Sequence, residues 1–92
     1  MNNYETIFLM KDDITEEQRN TVIEEIRDYL TKNGKISVKE NLGKKKLAYK
    51  VREYEYAYYY LIQFVGKADI ISELERKYRI NENILKFITI KR

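Results

Sequence analysis

The sequence has no cysteine and no histidine. Without cysteine there are no disulfides and no thiolate metal sites, and without histidine both the commonest metal ligand and the usual general base near neutral pH are missing. No metal and no cofactor are expected. Long apolar runs are also lacking: none approaches the roughly 18 residues that would cross a bilayer, and Met1 to Glu5 carry neither the cationic start nor the apolar stretch of a signal peptide. A cytoplasmic protein without membrane association is the expectation. The carboxylate pairs Asp12-Asp13, Glu16-Glu17 and Glu24-Glu25 sit at helix starts or on an outer helical face, where dipole and solvation account for them. No nucleophile, base or metal set converges on one element, so no catalytic residue is named and the chain is not expected to be an enzyme.

What is present describes a small folded domain. At 92 residues the chain fits one domain, residues 1–92, which buries only roughly two-thirds of its extended-chain surface. Hydrophobic residues at 43% and charged residues at 36% fit a packed core under a charged surface rather than a disordered tail. The net charge of +3 suggests an anionic partner only weakly, and the distribution says more. Lys44, Lys45, Lys46, Lys50 and Arg52 fall within nine residues, whereas Asp12, Asp13, Glu16, Glu17, Glu24, Glu25 and Asp28 concentrate acid elsewhere. A basic side and an acidic side are expected.

Periodicity divides the chain into six elements with no linker. Tyr4 to Met10 is short and β-rich, a first strand. Thr15 and Gln18 have capping-box spacing, and Val22, Ile23, Ile26, Tyr29 and Leu30 then recur at helical intervals. Asn33-Gly34 predicts a left-handed stop to that helix. From Lys35 to Arg52 the period is two, through Ile36, Val38, Leu42, Leu47, Tyr49 and Val51, with a parity switch near Gly43 that predicts a bulge or twist. A polar turn over Arg52 to Glu55 leads to Tyr56 to Val65, the most strand-like segment, so the two strands should form a hairpin. Asp69 to Tyr78 is helical through Ile70, Ile71, Leu74 and Tyr78, and Asn81-Glu82-Asn83 turns the chain into a last strand, Ile84 to Ile90. The order βαββαβ predicts an α+β, ferredoxin-like fold: a four-stranded antiparallel sheet in the order 4-1-3-2, with two helices on one face and the other face uncovered.

The uncovered face is where a partner can be sought. In the third strand Gln63 marks Ala57, Tyr59, Leu61 and Val65 as its outward companions, and the first strand adds Ile7 or Phe8 depending on register. In the last strand Phe87 and Thr89 point one way and Ile88 and Ile90 the other, and the pattern leaves open which pair is exposed. The candidate protein-contact residues are Tyr59, Leu61, Val65, Ile88 and Ile90. Aromatics on such a face could instead stack on unpaired bases. However, the glycine- and aromatic-rich ribonucleoprotein signature is missing, and an apolar patch that a second protein covers accounts better for the aliphatic residues. Most of the nine tyrosines read as half-buried strand residues with wet hydroxyls. Lysines at a sheet edge often only discourage edge-to-edge pairing. Phosphate binding explains more of their arrangement, because an extended strand spaces its residues at about 3.3 Å and lysines act there as point charges that hold register.

Four stretches resemble bacterial small-subunit ribosomal protein S6: Tyr4-Glu5 with the apolar strand behind it, Asn41 to Tyr49, the aromatic strand from Tyr56 to Phe64, and Tyr78 to Lys86. The most specific is Leu-Gly followed by basic residues and Leu-Ala-Tyr, joined to Arg-Ile-Asn-x-Asn-Ile near the C-terminus. The resemblance runs nearly end to end. It implies a cytoplasmic, ribosome-associated protein that binds small-subunit (16S) rRNA and pairs with ribosomal protein S18 as a heterodimer, with no small-molecule substrate. Lys45 and Lys46 match the family's paired basic residues, Lys44, Lys50 and Arg52 extend them by proximity, and Arg79 and Lys86 fall in its basic C-terminal segment. The rival reading is a regulatory module of the same fold that homodimerises around a small molecule. The chain departs from the family pattern at Lys50, where proline usually follows Leu-Ala-Tyr, at Ala57, near which a glycine or another small residue is usual, and at Asn2 and Asn3, which replace basic residues. Many relatives add a polar tail beyond the position of Arg92 that helps hold the partner, so a weaker partner contact, or one resting more on the sheet, is expected.

Overall fold

A computed structural model describes residues 1–92. Its first helix, α1, spans Glu16–Asn33 and starts where the capping box predicts. The Gln18 amide donates to the Thr15 hydroxyl at 3.1 Å and the Thr15 amide donates to Gln18 Oε1 at 2.9 Å, so two otherwise orphaned groups satisfy each other. Glu16 and Glu17 in its first turn and Lys32 in its last complement the helix dipole. Val22, Ile23, Ile26 and Leu30 form its buried stripe. The exit differs from the left-handed stop expected at Asn33-Gly34. Gly34 has φ −172°, extended backbone that any residue adopts. What glycine supplies there is room, since a Cβ would stand 2.2 Å from the Val65 carbonyl oxygen.

The remaining elements are β1 (Asn2–Lys11), β2 (Gly34–Val51), β3 (Tyr54–Gly66), α2 (Ile70–Ile80) and β4 (Ile84–Lys91). The strands form one antiparallel sheet in the order β2-β3-β1-β4, the expected order counted from the other edge. Gly43, at φ 80°, sits where the β2 register shifts between Asn41 and Gly43, and its amide donates to Asn41 Oδ1 at 2.9 Å. That bulge is the predicted change of parity. The β2–β3 turn is tighter than the Arg52 to Glu55 span expected: Val51 pairs with Tyr54, leaving Arg52 at φ 48° and Glu53 at φ 69° as the only turn residues. Two left-handed residues match the twist of a hairpin, a role usually given to Asn-Gly.

Both helices lie on one face of the sheet. Val22, Ile26 and Leu30 of α1 and Leu74 and Tyr78 of α2 pack with Tyr4, Phe8, Met10, Tyr60, Ile62 and Phe64. Phe8 sits at the centre, its ring centroid 5.7 Å from Tyr60 and 5.3 Å from Tyr78. One polar thread crosses this core. The Tyr78 hydroxyl shares a 2.8 Å hydrogen bond with Thr6 Oγ1, which shares another of 3.0 Å with Thr89, so the buried oxygens are satisfied.

Burial pushes the Tyr78 phenol well above its ordinary value of 10.0, although the Thr6 hydrogen bond acts in the opposite direction. A raised folded-state value means that the unfolded chain gives up this proton first. The stability involved is therefore intact below pH 10 and lost as pH rises above it. Tyr78→Phe is expected to flatten the fall of the urea midpoint between pH 9 and pH 11.5, and an unchanged slope would assign the alkaline loss to other groups.

Candidate nucleic-acid and partner interface

The register maps the face away from the helices row by row. Val38, Gln63, Glu5 and Ile90 lie side by side, then Glu40, Leu61, Ile7 and Ile88, then Gly43, Tyr59, Leu9 and Lys86. Gln63 does face outward, and Ile7 rather than Phe8 joins its set. The last strand is settled the same way: Phe87 packs towards the helices, while Ile88 is 57% and Ile90 47% exposed. Tyr59, Leu61 and Val65 are half-buried on the same face, with β1 between them and the last strand. One end of this face is polar, with Gln63 donating to Glu5 Oε1 at 2.9 Å and Arg92 donating to Gln63 Oε1 at 2.8 Å.

The face is not wholly bare, as the element order alone suggested. Leu47 is buried against Leu9, Ala57 and Leu85 in a second, smaller apolar cluster that contains no helix residue. The cause is a large register shift between Lys46 and Val51, which frees Leu47 to Lys50 from the ladder and folds Leu47 onto the sheet. Ala57 is fully buried beneath this cluster, where a larger side chain would collide with it. Tyr49 is carried outward and is 82% exposed.

The pleat divides the lysines of β2. Lys44 and Lys46 pair with Tyr58 and Tyr56 on the helix side, whereas Lys45 pairs with Ala57 on the open side. All three are exposed, as is Lys50 in the bulged segment. The separation into a basic and an acidic side is incomplete. The Lys44 ammonium lies 3.7 Å from Asp12, and the Tyr54 hydroxyl donates to Asp13 Oδ2 at 2.9 Å, which raises the Tyr54 pKa. Lys11 pairs with Ala57, and this register brings the acidic turn after β1 against the hairpin. An exposed pair of this length contributes little to stability, about 0–1 kcal/mol.

Arg52 is drawn to the other edge strand. Its guanidinium crosses to β4 and donates to the Ile84 carbonyl oxygen. There it shares the lining of an open cleft of about 400 Å³ with Arg79 and Lys86. Of the seven candidate cations, Lys44, Lys45, Lys46 and Lys50 lie along β2, while Arg52, Arg79 and Lys86 line the cleft at the start of β4, Lys86 also bordering Leu47 to Tyr49 of the bulged segment. Lys11, in the same row as Lys45, was missed by the sequence reading. Continuing the alternation of Ile7 and Leu9 by one step would have placed it on the open face.

A two-helix, four-strand sandwich with an apolar open face edged by cations is the class of protein defined here, and comparison with known proteins gives it a family. The model of the family described as Ribosomal protein S6 matches residues 3–91. The small ribosomal subunit protein bS6 of Campylobacter jejuni subsp. jejuni (strain 81-176) is 40% identical over 92 residues, which covers 99% of this chain and 74% of the relative. That of Helicobacter acinonychis is 41% identical, covering 99% and 65%. Among solved structures, the 30S ribosomal protein S6 of Thermotoga maritima matches with a TM-score of 0.94 at 28% identity, over 99% of this chain and 87% of that one. An uncharacterized protein of the same organism, at TM-score 0.63 and 18% identity, shares the fold alone. The chain belongs to the ribosomal protein S6 family, and is thereby a small-subunit ribosomal protein, structural rather than catalytic.

Proposed function

We propose that this chain binds small-subunit (16S) rRNA through the β2 lysines, with Lys45 and Lys46 foremost, and holds ribosomal protein S18 on the open face of the sheet. The observation that carries the reading is the pair Ile88 and Ile90, exposed at 57% and 47% on the same face as half-buried Ile7, Tyr59, Leu61 and Val65. Large aliphatic side chains grouped on one face mark a surface that a second protein covers. Exposed ammonium groups along β2, the opposite edge of the sheet, suit phosphates, whose contacts position a protein without reading sequence. Family membership supports both partners.

Two measurements test the proposal. Sedimentation of the purified chain with S18 is expected to give a one-to-one complex, and a metabolite-dependent homodimer in its place would favour a regulatory module. Replacing Lys45 and Lys46 together by alanine is expected to weaken 16S rRNA binding, measured with S18 present. It should also lower the log–log salt slope by about 1.4–1.8, since each phosphate contact contributes roughly 0.7–0.9. An unchanged slope would remove these two lysines from the interface.

A further inference from the structure

The cleft at the start of β4 is built from segments far apart in the chain: the β2–β3 turn, the end of α2 and the turn that follows it. Its walls differ in character. Ile80, 64% exposed, and the half-buried Phe87 give it an apolar side, while Arg52, Arg79 and Lys86 bring three cations to the same lining against the single carboxylate of Glu82. Asn81 also lines it, its Oδ1 already accepting the Asn83 amide at 2.9 Å. A volume of about 400 Å³ lies within the roughly 300–1,000 Å³ of small-ligand sites.

Arg52 is held in place at some expense to the backbone. It and Glu53 occupy left-handed conformations, φ 48° and 69°, which residues other than glycine, asparagine and aspartate adopt rarely. The hydrogen bond from its guanidinium to Ile84 fixes the group beside the cleft while leaving further N–H donors free, since arginine has five. A fixed fork of donors is suited to an oxyanion, and the apolar wall to a flat ring.

We infer that this cleft takes one nucleoside phosphate unit of an unpaired RNA strand. The base rests on the side of Ile80 and Phe87, and the phosphate lies among Arg52, Arg79 and Lys86. The inference rests on the RNA-binding reading and adds to it a second contact, one that duplex RNA cannot satisfy because its bases stay stacked. Single-strand recognition by other proteins combines the same two elements, a cationic track and a surface for the base.

The test is nuclear magnetic resonance of the 15N-labelled full chain, titrated with hexauridylate and hexaadenylate, with UMP and AMP, with an RNA duplex of the same length, and with inorganic phosphate. The single strands are expected to shift the amides of Arg52 and of Arg79 to Lys86, the mononucleotides to shift the same set more weakly, and the duplex to leave it unmoved. Arg79→Glu and Lys86→Ala, both at exposed positions, are each expected to weaken the single-strand interaction by about tenfold or more. Lys45→Ala with Lys46→Ala should leave the cleft shifts in place. Equal binding of duplex, mononucleotides as tight as hexamers, or phosphate alone reproducing the whole pattern would each overturn the assignment. A silent cleft in a protein that still binds 16S rRNA with S18 overturns this inference and spares the β2 interface. Loss of 16S rRNA binding altogether removes the reading beneath it and the inference as well.

Discussion

Glutamate at both Ile88 and Ile90 is expected to abolish association with S18, weakening it more than a hundredfold, while the unfolding midpoint barely moves. The two halves of this result have separate causes. In the free chain both side chains are about half exposed, Ile88 at 57% and Ile90 at 47%, and surface substitutions away from special features usually stay within about 0.5 kcal/mol each. In the proposed complex two carboxylates would have to leave water, at several kcal/mol per ion. Leu61 and Ile7 share a row with Ile88 and offer a carboxylate at that position no donor, while the cross-strand neighbour of Ile90 is Glu5, itself a carboxylate. Sedimentation with S18 reads the first half and urea unfolding the second. Association that survives the double substitution would place the partner on another surface.

Phe8→Ala should produce the largest loss of stability, about 3–5 kcal/mol, because a buried aromatic leaves both its transfer free energy and a cavity behind. Phe8 is fully buried and touches the aromatic rings of two different elements, Tyr60 on β3 and Tyr78 on α2. Its removal therefore loosens the sheet from the second helix as well as emptying a site. Domains have only about 5–15 kcal/mol in total, so this variant should unfold at much lower urea. Tyr59→Ala, on the opposite face of the same sheet, is the control: Tyr59 is half-buried and meets only the smaller cluster around Leu47, so its loss should be clearly less. Equal losses would mean that the two faces contribute alike to the fold.

The six elements and their order were legible because each carries its own periodicity, and the capping box at Thr15 marked a helix start to the residue. A single glutamine settled the facing of β3: Gln63 is outward, tied to Glu5 and Arg92, and everything with its parity follows. What could not be read depended on distance along the chain. The need for glycine at position 34 comes from the Val65 carbonyl oxygen, which no local pattern reveals. The pairing of Asp12 with Lys44 follows from the register of β1 on β3. The cleft joins residues 52, 79 and 86, and composition near any one of them gives no hint of the other two. The Arg52-Glu53 turn was hidden for another reason, since left-handed backbone is ordinarily signalled by glycine or asparagine and here is not.

The irregular outer strand has a bearing on the life of copies not yet assembled. β2 is an edge strand of 18 residues, long enough to template a neighbour of its own kind, yet its ladder slips at three places, between Ile36 and Val38, Asn41 and Gly43, and Lys46 and Val51. Each slip offsets the next donors and acceptors and bends the ribbon, and the lysines repel a second edge set against them. Growth of unassembled copies into fibrils is thereby disfavoured. The breaks that give the lysines their placement also deny the strand a matching copy of itself.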